Sequence, residues 1–280
     1  MKGGRMMQAE EKVEKVMNTC GITCWGVCSF DRIREKLLPC RAKARVPKEA
    51  ASVIVIALPY SLEDEYYHES NISRYAAVKD YHLVDTQYLE NASVKLRQMF
   101  PEEEFEIFTD NSPVPEVLAA AYAGLGVIGK NGLLIQREYG SWVFLGEIVT
   151  TLALNESGGK VETCCGCGAC VRACPTGALV KNDKGICLSH ITQKKGELLP
   201  EEEKLLLQYG CAWGCDICQL VCPENKKVRA TEIKEFIESF HPVAAVGEPL
   251  EEKAYAWRGR KVVERNLLLL EKERTCRKNR

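Results

Sequence analysis

The sequence predicts a layered domain of mixed α and β structure, then a small module held by metal, then a short helical C-terminus. Three observations carry this reading. Strand-like and helical patterns alternate through residues 1–155, as in an α/β or α+β layer domain. Ten of the fifteen cysteines fall between residues 161 and 225, among glycines and prolines, where little apolar core is available and a metal must supply the folding energy. Beyond them, Thr231–Phe240 and Tyr255–Leu270 read as helices. The expected division is therefore residues 1–155, 156–228 and 229–280.

Within the first part, Glu10–Met17 has helical patterning. Ser52–Leu58 is an unbroken apolar run ended by Pro59, the pattern of a buried strand. Tyr81–Met99 is an amphipathic helix, and Phe105–Phe108 a short strand. Ser112 is expected as an N-cap with Pro113 at the first helical position, opening a helix over Val114–Tyr122. Trp142–Val149 is another apolar strand. Asn155-Glu-Ser-Gly-Gly159 is rich in turn formers and marks the expected boundary.

Composition excludes some classes. A net charge of −1 excludes a globally basic nucleic-acid binder. No stretch of about 18 apolar residues exists to span a membrane. Residues 1–18 are polar, with neither an apolar signal core nor twin arginines, so a cytoplasmic protein with reduced thiols is expected. From Glu251 onward ten Lys and Arg face five Glu, a local excess of +5. That excess suits phosphate contacts or an ordinary solvated face.

The first cysteine run is Cys164-x2-Cys167-x2-Cys170-x3-Cys174-Pro175. This is the bacterial ferredoxin spacing: three cysteines hold one [4Fe–4S] cluster, and the fourth, before proline, crosses to a second. Gly166 and Gly168 give the loop the freedom to wrap a cubane. The second run, Cys215-x2-Cys218-x3-Cys222-Pro223, repeats the ending but lacks one ligand. The spacing assigns Cys164, Cys167, Cys170 and Cys222 to one cluster, and Cys174, Cys187, Cys215 and Cys218 to the other, with Cys211 competing for the place of Cys187. Structural zinc also fits four-cysteine sets, but two runs each ending in Cys-x3-Cys-Pro favour clusters. Crossed ligands hold two clusters close together, as a short electron wire.

Several stretches then resemble the epoxyqueuosine reductase family. They are Ser73-Arg74-Tyr75-Ala76 followed by Asp80-Tyr81-His82; Phe108-Thr-Asp110-Asn-Ser-Pro113-Val-Pro-Glu116 running on to Gly124-x-Gly126-x2-Gly129-Lys130-Asn131; and Gly140-Ser141-x2-Phe144-Leu145-Gly146-Glu147. Gly214-Cys-Asp-x-Cys-Gln-Leu-Val-Cys-Pro223 completes the series. The resemblance covers roughly residues 50–225, with the motifs in family order.

It implies an α+β fold: a nitroreductase-like cobalamin-binding domain, a ferredoxin-like double [4Fe–4S] domain, and short C-terminal helices. It implies two [4Fe–4S] clusters and cobalamin as cofactors, and reduction of epoxyqueuosine to queuosine in tRNA. It implies a tRNA partner and an external one-electron donor of flavodoxin or ferredoxin type, for a monomer away from membranes. By the same resemblance Asp110 is the proton donor to the substrate oxygen, while Arg74, Tyr75, Lys130 and Asn131 lie near cobalamin or the substrate. Removing an epoxide oxygen takes two electrons, and an acid must supply a proton where the alkoxide develops; Asp110 is expected to need a raised pKa for it.

Plainer readings stand beside these. Asp110 could simply favour a helix N-terminus, His82 could be structural, and Lys130 a surface charge. The Gly124-x-Gly126-x2-Gly129 pattern follows a helix, not a strand, so it is a poor dinucleotide fingerprint and reads instead as a turn letting backbone approach a ligand.

Three departures from the family stand out: no methionine- and tryptophan-bearing segment between Ile22 and Val53, Val117 in place of an arginine, and no helical-repeat domain after Arg280. The chain is thus expected to be a short member. A corrinoid reductase of another, small-molecule substrate and a non-enzymatic [4Fe–4S] electron carrier remain alternatives. Cys20-x3-Cys24-x3-Cys28 lacks radical-SAM spacing and, with Cys40, Cys165 and Cys276, reads as small buried residues rather than a third metal site.

Overall fold

A computed structural model describes residues 2–278, with side chains over residues 8–273; Cys276 lies outside those side chains. By contacts the chain forms two compact units, Met1–Pro59 with Tyr81–Gly166, and Tyr60–Asp80 with Cys167–Arg280.

The first unit is built on one antiparallel sheet. Its elements are α1 (Lys2–Thr19), β1 (Trp25–Ser29), β2 (Ser52–Pro59), α2 (Tyr81–Met99), β3 (Phe105–Thr109), α3 (Glu116–Tyr122), the small hairpin β4 (Val127–Ile128) and β5 (Leu134–Ile135), and β6 (Val143–Thr150). Strand order is β1-β2-β6-β3. The apolar run over 52–59 forms β2, every residue of it buried, as a central strand covered on both faces demands. Helix α2 packs on β3 and β6 with α1 behind it, and α3 packs on β1, β2 and β6. The alternation of β2 divides its side chains between the two cores: Val53, Val55 and Ala57 join Phe108, Val149 and the alanines of α3.

Two local expectations change. Helix α3 begins at Glu116, because Pro115 disfavours helical geometry at Val114; Ser112 instead accepts a hydrogen bond from the Val114 amide at 3.1 Å. Asn155–Gly159, expected as a boundary, is bound into the first unit. Glu156 pairs with Arg32 at 3.1 Å, and the Ser157 hydroxyl accepts from the Val27 amide at 2.9 Å. Within the glycine motif backbone also approaches backbone: a Cβ at Gly126 would stand 2.3 Å from the Ile135 carbonyl oxygen.

The second unit holds the cysteine module and the residues expected as a separate C-terminal segment. Its helices are α4 (Ala169–Ala173), α5 (Ala178–Lys181), α6 (Leu188–Thr192), α7 (Pro200–Tyr209), α8 (Ile217–Leu220), α9 (Lys234–Glu238) and α10 (Arg260–Lys278). The helix expected over Thr231–Phe240 shortens to α9. The one expected over Tyr255–Leu270 splits at Gly259, whose φ of 83° breaks the run. A single core joins Ile72, Ala76, Leu206, Trp213, Tyr255 and Leu267. Tyr60–Asp80 belongs to it through real anchors: the Ser73 amide donates to Trp213 O at 2.8 Å, and the Asn71 amide group donates to Ala244 O at 2.9 Å. Among the described residues, no helix is long and apolar enough to cross a membrane.

A Cβ on Gly26 of β1 would stand 2.3 Å from the Ala123 carbonyl oxygen at the end of α3, where backbone cannot yield. Gly26→Ala is therefore expected to lose about 1–3 kcal/mol or more of stability, read as a fall in urea midpoint. An unchanged midpoint would contradict the close approach of α3 to the sheet.

Candidate active site and cluster ligands

In the first unit, β3 ends in a strained turn. Asp110 and Asn111 both adopt positive φ, 48° and 23°, which costs a non-glycine residue about 1 kcal/mol or more. The turn is held from below: the Leu38 amide donates to Pro113 O at 2.7 Å, and the Cys40 thiol lies 3.6 Å from Asn111 O. Asp110 Oδ2 and His82 Nε2, at the start of α2, are 3.1 Å apart. The imidazole stacks on Tyr81, which stacks in turn on Phe144 of β6 with centroids 4.5 Å apart. Both members of the pair reach solvent.

The hydrogen bond with His82 holds the Asp110 carboxyl below the usual carboxylate range, against partial desolvation. This is opposite to the raised pKa expected from its proposed role. Lys130 and Asn131 form the exposed turn between β4 and β5, where Asn131 Oδ1 accepts from the Leu133 amide at 3.3 Å.

Beneath this turn lies a residue to which the sequence by itself assigns no role. Glu147 sits mid-strand in β6, paired with Val55 on one side and Phe108 on the other. It is fully buried, and neither carboxyl oxygen completes a hydrogen bond. Desolvation above all, then the nearby carboxyl of Glu116, pushes its pKa well above the usual carboxylate range. Asp85 and Asp110 add to this, while the Ser112 hydroxyl, facing it without normal hydrogen-bond geometry, opposes it. An ionised carboxylate there would carry a desolvation penalty of several kcal/mol with nothing to offset it, which favours the neutral acid. The signal was one acidic letter inside the apolar run of β6.

In the second unit, the chain brings its later cysteines back to the earlier ones. Burial first, then the neighbouring thiols of Cys167 and Cys170, raises the pKa of Cys222. Cys215 is pushed up to about 11 by burial, with Cys187 and Cys174 beside it. Cys174 itself is lowered despite burial, because the backbone N–H groups of Leu179, Thr176 and Ala178 point at its sulfur. Cys211 is different: its thiol donates to the carbonyl oxygens of Trp213 and Gly214, both at 3.2 Å, and burial raises its pKa. Cys164 belongs to the first unit, where its amide donates to Ile128 O at 3.0 Å.

These donors suit a sulfur-rich cage, whose corners stand wider apart than the ligands of one ion. No group of three His, Cys, Asp or Glu has single-ion spacing among the described residues. Of the other cysteines, Cys28 is buried in the core of the first unit with its thiol pushed to about 12, and Cys24 is pushed to about 11, both mainly by burial.

Arg74 and Tyr75 belong to the second unit, and Lys130 and Asn131 to the first. The Arg74 guanidinium is buried, bonded to Ser61 Oγ at 3.0 Å and Asp64 Oδ1 at 2.6 Å, over the ring of Tyr67. Its backbone amide donates to Asp216 Oδ2 at 2.7 Å, between Cys215 and Cys218 in sequence. The Tyr75 hydroxyl accepts from Gln193 Nε2 at 3.3 Å.

Comparison with known proteins matches residues 41–111 to the family described as epoxyqueuosine reductase QueG, DUF1730, and residues 163–225 to a 4Fe-4S double cluster binding domain. The chain is 40% identical over 196 residues to the epoxyqueuosine reductase of Synechocystis sp., covering 67% of each chain. It is 33% identical over 250 residues to that of Lactococcus garvieae, covering 81% of this chain and 71% of the relative. It also resembles the crystal structure of an epoxyqueuosine reductase with an epoxyqueuosine-modified tRNA-Tyr stem loop, at a TM-score of 0.79 and 26% identity over 95% of this chain and 81% of the other.

The neutral state of Glu147 has a thermodynamic consequence. The native protein keeps a proton that the unfolded chain releases above about pH 4.3, so wild-type stability falls as pH rises from there towards the raised native pKa. Glu147→Gln removes this dependence. Urea unfolding from pH 4 to pH 8 is expected to move the difference steadily in favour of the variant; a constant difference would mean that Glu147 is ionised.

Proposed function

We propose, as the chain belongs to the epoxyqueuosine reductase family, that it reduces the epoxide of epoxyqueuosine in tRNA to queuosine, using two [4Fe–4S] clusters and cobalamin. The observation that carries this reading is the Asp110–His82 pair, set on a strained turn in a chain that also carries the double cluster domain. The matched tRNA complex supports tRNA as the substrate-bearing partner. The basic excess after Glu251 is a place for its phosphates.

The residues of the first unit fit a flat ring system. The stacked rings of Phe144, Tyr81 and His82 end at a carboxyl group that reaches solvent, so an apolar face and a proton carrier stand side by side. Lys130 and Asn131, on an exposed turn, are our contacts to the cofactor or substrate. Cobalamin, if bound there, would supply a cobalt centre able to take up single electrons.

Asp110 places its carboxyl at the oxygen that becomes an alkoxide, and a proton moves from Oδ to that oxygen. The positive-φ turn aims the carboxyl, and the anchors at Leu38 and Cys40 limit its movement. Arg74 acts inside its own unit, fixing the loop that carries Cys215 and Cys218 through Asp216, with Tyr75 packed beside it. Cys164, Cys167, Cys170 and Cys222 hold one cluster, and Cys174, Cys187, Cys215 and Cys218 the other. The clusters they would hold could carry electrons in from an external one-electron donor.

The test is anaerobic conversion of epoxyqueuosine in tRNA by cluster-reconstituted protein supplied with cobalamin and a reductant. Conversion is expected to require cobalamin and to fall about 10²- to 10⁴-fold in Asp110→Asn. No conversion by wild type with both clusters intact would overturn the reading.

A further inference from the structure

Removal of an epoxide oxygen as water consumes two electrons and two protons. One proton reaches the alkoxide when the first C–O bond breaks. The second leaves with the hydroxyl group as water when the other C–O bond breaks and the alkene forms. The electrons come from the external one-electron donor through the clusters. Asp110 holds one proton at most, and its bond to His82 favours the carboxylate form. A site built on Asp110 alone is therefore one proton short in each turnover, and poorly loaded for the first.

The groups around the pair bear on where the missing proton is kept. Tyr81 stacks on the imidazole from the same helix, and Asp85 follows His82 by three residues on the same helical face. Glu147 on β6 lies near enough to feel Asp110, with Glu116 on α3 beside it. The N-terminus of α2 disfavours an imidazolium, but the Asp110 carboxylate, in direct contact, favours it. The His82 side chain is 37% exposed, so water can return a proton to it.

We propose that His82 is a positioning residue that loads Asp110: its Nε2 holds a proton in the resting site and passes it to the Asp110 Oδ2 carboxylate, from which it goes to the alkoxide. Neutral His82 then recovers its proton from solvent and loads Asp110 again, so that Asp110 serves as acid twice in one turnover. This rests on the reductase function proposed above. It gives His82 work that a purely structural histidine would not have.

Two measurements separate the claims. The first needs no turnover: the His82 ring is titrated by NMR in cluster-loaded protein, wild type against Asp110→Asn. Loss of the carboxylate is expected to lower the His82 midpoint by about one pH unit or more; an unchanged midpoint overturns the proposal. The second is the pH profile of kcat/KM in His82→Gln, whose amide keeps a hydrogen bond to Asp110 but carries no titrating proton. The basic limb is expected to move at least about one pH unit towards acid. A uniform fall with an unmoved limb would show a merely structural histidine and overturn the proposal. Coupled titration with no conversion of epoxyqueuosine by wild type would overturn the functional reading, and with it the loading role, while leaving the pair itself intact.

Discussion

The second unit depends on one constraint: sulfur atoms separated by dozens of residues must meet. Cys222 returns to Cys167 and Cys170, and Cys215 returns to Cys174 and Cys187. Everything between exists to make that return. Helix α7 carries the chain away and Gly210 turns it back with φ of 63°; Trp213, buried beside Tyr255, then fixes the approach of the last run. The same core accepts Tyr60–Asp80, far away in sequence, and places the Arg74 amide on Asp216 between two cysteines. Backbone N–H groups aimed at Cys174 favour its thiolate, the form that binds iron. Cys211 sits nearby with its thiol given to two carbonyl oxygens, which suits a structural residue better than a ligand.

In the first unit, the same chemical group is tuned in two directions. Glu147 and Asp110 are carboxyl groups close enough to influence one another. Burial among Val55, Phe108 and α3 keeps one neutral, while solvent and an imidazole keep the other ionised. The neutral acid lets the floor of the site stay packed without a buried charge pushing on the turn above. The ionised one stands where a proton can be received and passed on.

Much of this was legible in the sequence, where the signal is local. The run Ser52–Leu58 could only be a doubly covered strand, the helix Tyr81–Met99 matches its periodicity end to end, and the cysteine spacings alone mark a double cluster module. What was hidden is non-local. Strand β1 is only five residues long, too short for its alternation to stand out. The membership of Tyr60–Asp80 depends on Trp213 and Ala244, which no window on residues 60–80 contains. The partners of Arg74, Ser61 and Asp64, are ordinary polar residues until the fold brings them to it. Glu147 was visible as a letter, but its neutrality follows from what covers it. Pro115, two residues past an apparent cap and proline start, moved a helix boundary that pattern alone placed too early.

The crossed sulfur sets are best tested by iron content and cluster spectroscopy of two variants reconstituted side by side. If Cys187 completes the second cage, Cys187→Ser should hold about half the iron of wild type, and its spectrum should show a single intact [4Fe–4S] cluster. Cys211→Ser should keep the full complement. Full iron in the first variant with half in the second would contradict the account, and would place Cys211, not Cys187, at the corner of the cluster.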